Sequence, residues 1–301
     1  MPTSSQSDNI TFTKTRYLFL WLLLFYLIFP TIYSIASVFI TSLPDIKDPL
    51  ITQIFYSCSF ISLCWYLTRE LRQSRLEPRY LIGNLRPKYG WISLIGLAIA
   101  FLVFSLGTAL LSFHGFSLVA PELHKSFMES MLEQESQVSV VPIVNQCWQT
   151  INYIAVAPIT EEFIFRGVLL HRLATKWNLA IAIWVSSIIF GLLHPNPIGI
   201  SAVGVAWALL YIRTRTLIVP IIAHSINNTI VVVGEFLSTL AEENGNVADS
   251  AESIADNEWT TGLLFVVVSL PFVVRFIYRR FPAKDKSLPY FANEARAVDE
   301  R

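Results

Sequence analysis

Residues 91–113 read WISLIGLAIAFLVFSLGTALLSF and contain no Asp, Glu, Lys or Arg. Residues 17–41 and 216–234 lack these four residue types as well. Each segment is long enough to cross the hydrocarbon core of a bilayer as a helix, which takes about 20 apolar residues. A soluble core helix of this length would carry a polar stripe. The three segments therefore predict membrane-spanning helices.

The overall composition also indicates a membrane protein. Apolar residues make up 53% and charged residues 15% of the 301 residues, whereas soluble globular proteins are about a quarter charged. This apolar composition makes membrane lipid an expected partner. The formal net charge is zero, so no nucleic-acid partner is expected.

Apolar segments divide the chain into about eight predicted spans, and we expect an all-α, polytopic integral membrane protein. The predicted spans are residues 17–41, 50–68, 91–113, 143–171, 178–194, 197–212, 216–236 and 259–278. Pro195 and Pro197 separate the fifth span from the sixth, because proline cannot continue a helix and restricts the residue before it.

Loop charges predict the orientation of these spans, because Lys and Arg concentrate on the cytoplasmic side. Basic residues cluster after spans two, four, six and eight, whereas residues 237–258 are acidic and have none. Both termini are therefore predicted to be cytoplasmic, in a multi-pass protein of the plasma or inner membrane. The predicted regions are a polar cytoplasmic tail (1–16), N-terminal transmembrane helices (17–144), a core segment (145–235), an acidic external loop (236–258), a last transmembrane helix (259–282) and a polar cytoplasmic tail (283–301). We expect residues 1–13 and 283–301 to be disordered.

Residues 157–167 read APITEEFIFRG and place two carboxylates and a guanidinium in or beside a predicted span. Each such charge costs about 2.5–3.5 kcal/mol at a helix centre, so charged residues in spans usually pair and often mark function. Glu162 and Arg166 are four residues apart and can form an ion pair, whereas Glu161 points about 100° away. The alternative is a solvated helix end, since further basic residues follow.

Two histidine motifs also interrupt apolar spans. His194 ends the fifth span just before Pro195, where an interfacial role is the alternative to a catalytic one. His224 and Asn228 share a face in the middle of the seventh span and need hydrogen-bond partners in hydrocarbon. Contacts between helices are their alternative role. No role is assigned to His114, His124 and His171, which fall in predicted loops or at span ends.

Together these groups suit the activation of water. A carboxylate and a histidine can take a proton from water, while a second histidine and an asparagine can hydrogen-bond a developing oxyanion. No serine or cysteine lies in an equivalent pairing, so a covalent nucleophile is disfavoured.

The motifs resemble those of the CPBP family of intramembrane glutamic endopeptidases, which includes the type II CAAX prenyl endopeptidases and is also called the Abi or Ras-converting-enzyme-like family. That family has the motifs EExxxR, FxxxH and HxxxN/D in this order. They read here as Glu161-Glu162-x-x-x-Arg166, Phe190-x-x-x-His194 and His224-x-x-x-Asn228. The resemblance covers residues 145–235, which would form a CAAX-protease-like catalytic core.

The resemblance implies catalytic roles for four residues. Glu161 with His194 would activate water, and His224 with Asn228 would form an oxyanion hole. It implies supporting roles for three others, Glu162, Arg166 and Phe190.

The resemblance also implies a polar intramembrane cavity that opens towards the cytoplasmic side. No cofactor is expected, and the alternative is zinc held by Glu161, His194 and His224. The implied substrate is a membrane-associated protein or peptide, either of the prenylated CAAX type or another peptide. The oligomeric state is left open.

Two other functions stay open at this point. One is a non-catalytic membrane scaffold or bacteriocin-immunity protein with the same fold. The other is a solute or proton transporter, since intramembrane Glu and His residues also act as proton relays. A transporter would favour paired internal repeats, and the sequence has no evident repeat.

Overall fold

The computed structural model describes residues 31–33, 35, 48–85, 90–135, 141–243, 258–283 and 286–300. Within these ranges the regular structure is helical and no β-strand occurs, which confirms the predicted all-α fold class. The predicted tail 1–16, most of the predicted first span and residues 244–257 of the predicted acidic loop lie outside the described residues.

The described α-helices are numbered in chain order. They are α1 (Pro49–Gln73), α2 (Pro78–Ile82), α3 (Trp91–Val119), α4 (Pro121–Glu135), α5 (Pro142–Ile151), α6 (Ala157–Glu162), α7 (Leu170–Lys176), α8 (Leu179–Leu192), α9 (Pro197–Thr214), α10 (Ile218–Glu243), α11 (Glu258–Arg280) and α12 (Pro289–Asp299). Two π-helical segments, Asn152–Val156 and Phe163–Leu169, join α5 to α6 and α6 to α7. The junctions keep right-handed helical backbone, so residues 142–176 form one rod, called here the motif helix.

Five described helices are long and apolar enough to cross a membrane: α1, α3, α9, α11 and residues Ile218–Leu240 of α10. Helix α8 is apolar but shorter, and the π-helical segments divide the motif helix. The structure is therefore that of a polytopic helical membrane protein, while the predicted number of eight spans is not confirmed.

The break between α8 and α9 follows from local chemistry. Helix α8 ends at Leu192 and α9 begins at Pro197, as Pro195 and Pro197 predicted. Asn196 Oδ1 accepts a hydrogen bond from Gly199 N at 3.3 Å, which caps the first turn of α9. Proline suits the first helical position because its backbone has no N–H to leave unpaired.

Helix α9 is the centre of the bundle. Every residue from Val203 to Ile212 is buried, so this helix is covered on all sides rather than on one face. Large apolar side chains on the outer faces of other helices are exposed, among them Trp65, Ile92 and Phe272. Lipid chains would cover such a surface.

The C-terminal segment differs from the prediction. Residues Pro289–Asp299 form α12, so the disorder expected for residues 283–301 is wrong for this part. Tyr290 is fully buried, and its hydroxyl accepts a hydrogen bond from Glu77 N at 3.2 Å. A buried aromatic anchor thus contributes to the order of a segment whose average composition is polar.

His171, on α7, is a second anchor for α12, and the sequence did not predict this role. It is fully buried; its Nδ1 lies 3.3 Å from Arg166 O, and its Nε2 accepts a hydrogen bond from Tyr290 N at 3.3 Å. His171 therefore has a structural role, linking the motif helix to α12.

The segments with the most arginine lie together at one end of the bundle. The Asn293 side chain, on α12, donates to Tyr80 O on α2 at 2.9 Å and to Arg215 O at 2.8 Å in the α9–α10 turn. These segments were predicted to share one side of the membrane, and they contact one another. We call this end of the molecule the basic end.

Candidate active site

Glu161 and Glu162 are both buried and lie on α6, between the two π-helical segments. Glu162 Oε1 is 3.0 Å from Arg166 Nη1, so the predicted ion pair is confirmed. Glu161 instead lines a cavity, so the two carboxylates are separated as the helix geometry predicted. Short π-helical segments inside α-helices frequently occur at functional sites.

The Arg166 guanidinium is buried and contacts three groups. Besides its ion pair with Glu162, Nη2 donates to Gly204 O at 3.2 Å, and Cζ lies 4.3 Å from the centroid of the Phe190 ring. Cation–π attraction operates at this distance. Because a buried charge is costly unless it is paired and hydrogen-bonded, these contacts explain how Arg166 is accommodated inside the bundle.

His224 connects the two glutamates. Its Nδ1 is 3.1 Å from Glu162 Oε1 and its Nε2 is 3.9 Å from Glu161 Oε2. The contact with Glu162 was not predicted from the motifs. Arg166 offsets one of the two carboxylate charges, so a protonated His224 ring would bring this cluster to electrical balance.

Glu161 is held by a tyrosine from outside the motif region. Tyr56, on α1, donates its hydroxyl to Glu161 Oε1 at 2.7 Å. The other oxygen, Oε2, is buried and has no hydrogen-bond partner among the described residues. One oxygen of the carboxylate is thus fixed, and the other is available as an acceptor.

His194 lies just beyond the end of α8. Its Nδ1 is 2.7 Å from Phe190 O, and because a carbonyl oxygen only accepts, Nδ1 carries the proton of this bond. In the neutral ring Nε2 then has the lone pair. His194 is half-buried and lines the same cavity as Glu161, so its ring can act as a proton acceptor there.

Asn228 and its neighbour Asn227 face the same cavity from α10. Asn228 Nδ2 donates to Tyr153 O at 2.8 Å, which occupies one of the two amide protons. Asn227 is buried, and its Oδ1 has no hydrogen-bond partner among the described residues. The motif therefore contributes two adjacent amides, of which only Asn228 was predicted.

The cavity has a volume of about 640 Å³ and is lined by all four predicted catalytic residues, Glu161, His194, His224 and Asn228. Side chains from the motif helix, the α8–α9 turn and α10 thus converge on one cavity. Glu162 and Arg166 lie behind the wall of this cavity and do not line it.

The cavity extends from the middle of the bundle towards the end opposite the basic end. Its lining includes Thr52, near the start of α1, and Asn196, in the α8–α9 turn. The basic end instead holds the C-terminal ends of α1 and α9. The cavity lining and the basic end thus lie towards opposite ends of α1 and α9, and the opening of the cavity towards the cytoplasm stays a prediction.

The cavity has further polar residues that sequence reasoning missed. Asn152, on the motif helix, donates from Nδ2 to Gln53 Oε1 at 2.7 Å, and both line the cavity. Asn152 could have been noticed as an amide within a predicted span. No such signal marks Tyr56, because tyrosine is common near the ends of membrane helices.

A metal site was the alternative prediction for Glu161, His194 and His224. Among the described residues, no group of three or more His, Cys, Asp or Glu side chains is arranged to hold a metal ion. The alternative zinc set is therefore not assembled in this structure, and the absence of a cofactor stays a prediction.

The fold and the site together define a class: a helical polytopic membrane protein whose Glu, His and Asn side chains converge on a buried cavity. Residues 143–230 match the family model described as type II CAAX prenyl endopeptidase Rce1-like. The family resemblance predicted from the three motifs is confirmed for this segment, which contains all seven motif residues.

Two curated proteins are similar over part of this segment. The putative membrane peptidase YdiL of Bacillus subtilis (strain 168) is 42% identical over 81 residues, which cover 26% of this chain and 33% of that protein. The membrane-embedded CAAX protease MroQ of Staphylococcus aureus (strain USA300) is 38% identical over 93 residues, covering 28% of this chain and 37% of that protein. The matched region thus spans about a third of each relative. No solved structure matches the chain.

Proposed function

We propose that this protein is an intramembrane endopeptidase that hydrolyses a peptide bond of a membrane-associated substrate with an activated water molecule. The observation that supports this most is the Glu161 carboxylate, buried in the wall of a cavity that His194, His224 and Asn228 also line. The names of the two relatives, a membrane peptidase and a CAAX protease, favour proteolysis over transport.

Glu161 is the proposed general base. Its Oε2 accepts the proton of the attacking water, while the Tyr56 hydroxyl holds Oε1 and so orients the carboxylate. His194 assists through Nε2, since its Nδ1 proton is engaged by Phe190 O. A positioned base of this kind contributes about 10²–10⁴-fold to rate.

His224 and Asn228 are the proposed oxyanion donors. Asn228 has a second amide proton beyond the one given to Tyr153 O. His224 directs Nδ1 at Glu162, so its Nε2 can donate only when both ring nitrogens carry a proton. A preorganised donor of this type contributes about 10²–10³-fold.

Glu162, Arg166 and Phe190 are proposed to hold this arrangement without touching the substrate. Glu162 bridges Arg166 and the His224 ring, so it fixes the donor side of the site. We propose that no metal or other cofactor takes part, and that the reacting atoms are those of water, substrate and these side chains.

The substrate is proposed to be a membrane-associated protein or peptide, with prenylated CAAX-type peptides as one class. Both apolar and polar side chains line the cavity, so a lipid-linked or apolar peptide segment can be accommodated beside the catalytic groups. The membrane is proposed to be a plasma or inner membrane, with both chain termini in the cytoplasm.

A comparison of membrane peptides tests this proposal. Cells expressing the wild-type chain are compared with cells expressing Glu161→Gln, and new peptide N-termini are identified by mass spectrometry. Glu129→Gln, at an exposed carboxylate on α4, is the matched control. We expect N-termini that depend on Glu161 and not on Glu129; identical sets in all three strains would contradict the proposal. That result, with an equal phenotype for wild type and a stably expressed Glu161→Gln, would indicate the scaffold or immunity function.

A further inference from the structure

A second recess, of about 370 Å³, lies at the basic end of the molecule. It is formed by α2, the α9–α10 turn and α12, so it shares no lining residue with the catalytic cavity. The charged and amide side chains that line the recess are those of Arg79, Asn84, Arg215, Asn293, Arg296 and Glu300.

The walls of this recess are held by specific contacts. Asn293 bridges Tyr80 O and Arg215 O, and Leu217 N donates to Ile82 O at 2.8 Å. Gly83 has φ of 65°, and a Cβ at this position would collide with Arg215 O. Only glycine fits such a close backbone approach without strain, so the recess is a preorganised feature of the fold.

The charge in the recess is unbalanced. Three arginines line it, Arg79, Arg215 and Arg296, against one carboxylate, Glu300. Glu300 is paired with Arg296 at 2.7 Å, and Arg79 is paired with Glu77, which lies outside the recess. The excess positive charge is therefore that of Arg215. No ion-pair partner of the Arg215 guanidinium occurs among the described residues.

Helix dipoles explain part of this pattern but not its convergence. Arg215 caps the C-terminal end of α9, and Arg296 lies in the last turn of α12, where a cation is favourable. The dipole of each helix favours a cation only at that helix's own end. Helix dipoles therefore do not explain why arginines from three segments line one recess.

We propose that this recess binds a phosphate group, supplied by the headgroup of an anionic phospholipid. Guanidinium groups pair with phosphate oxygens through two parallel hydrogen bonds, and the Asn84 amide adds a donor. Thr214, at the end of α9, lines the recess, and α10 begins four residues later at Ile218; both helices can cross a membrane. This position is the level of lipid headgroups, where basic residues contact anionic lipids.

Lipid binding to the full-length protein tests the site. Native mass spectrometry of the detergent-solubilised chain counts bound phosphatidylglycerol against phosphatidylcholine, and titration calorimetry measures inorganic phosphate separately. Arg215→Gln is the main variant and Arg296→Gln the second. Arg279→Gln is the matched control, because Arg279 is exposed at the end of α11 and lies outside the recess.

We expect phosphatidylglycerol to bind in preference to phosphatidylcholine, and each recess variant to weaken its binding about tenfold. The Arg279→Gln control should bind like the wild type. Saturable binding of inorganic phosphate that Arg215→Gln removes would support the site and assign it to a soluble phosphate. Equal binding of the two lipids without phosphate binding, or equal losses in Arg215→Gln and Arg279→Gln, would overturn the proposal. If Arg215→Gln does not fold, Arg296→Gln decides by the same criteria.

Discussion

At the scale of single residues, the site depends on two adjacent carboxylates that have different contacts. Glu162 is paired with Arg166 and His224, while Glu161 is held by one hydroxyl and lines the cavity. Two chemically identical side chains thus have different environments because adjacent residues point in different directions on a helix. This division leaves one carboxylate to stabilise the site and the other for the proposed reaction with water.

Tyr56→Phe tests the positioning of Glu161. The change removes the hydroxyl that donates to Glu161 Oε1 and leaves the ring in place. We expect kcat to fall about tenfold, since a hydrogen bond to a charged group is lost, with KM and folding retained. Tyr278→Phe, at an exposed tyrosine on α11, is the control. An unchanged kcat and pH profile for Tyr56→Phe would show that this contact does not orient the base.

Thermal unfolding tests the buried ion pair between Glu162 and Arg166. Glu162→Gln or Arg166→Gln alone leaves a buried partner charge uncompensated, which costs about 3–5 kcal/mol. The double variant removes both charges, so we expect it to be more stable than the sum of the single effects predicts. Lys125→Gln, in an exposed pair with Glu129, should change little. Additive single effects would contradict this account of the pair.

At the scale of elements, the position of His194 depends on how closely α8 and α9 pack. A Cβ at Gly191 would lie 2.5 Å from Pro197 O and would also collide with Ser201. The FxxxH motif therefore has a glycine where α8 meets the start of α9. The motif pattern alone does not predict this contact, because it depends on a neighbouring helix.

Gly191→Ala should therefore displace α9 from α8 and disturb His194. We expect it to destabilise the protein by about 1–3 kcal/mol and to lower cleavage, as measured by thermal unfolding and by rate. Gly96→Ala is the matched control, because a Cβ there meets nothing within 4 Å and alanine favours a helix. Equal stabilities of the two variants would mean that this packing is not tight.

At the scale of the whole molecule, the sequence predicts the helices better than their contacts. The seven predicted spans from 50–68 onwards each overlap a described helix or the motif helix, because long apolar runs determine them locally. Tyr56 and His171 were missed, since their roles arise from residues about a hundred positions away. The order in α12 was missed because the burial of Tyr290 and the contacts of α12 with distant residues outweigh its polar average composition.

The orientation of the molecule can be tested by thiol labelling in intact cells. In a background without the native cysteines, Ser287→Cys reports the basic end and Glu122→Cys the opposite end; both positions are exposed. We expect an impermeant reagent to label only Glu122→Cys, because the arginine-rich end should be cytoplasmic. The opposite labelling would place the cavity nearer the cytoplasm and the phosphate recess outside.

The central claim is that Glu161 activates water for peptide hydrolysis. It is tested most directly by the cleavage rate of a substrate peptide in proteoliposomes that contain purified wild type, Glu161→Gln or Glu129→Gln. We predict that Glu161→Gln lowers the rate by about 10²–10⁴-fold at an unchanged unfolding temperature, while Glu129→Gln cleaves like the wild type. Cleavage by a folded Glu161→Gln at the wild-type rate would contradict the account.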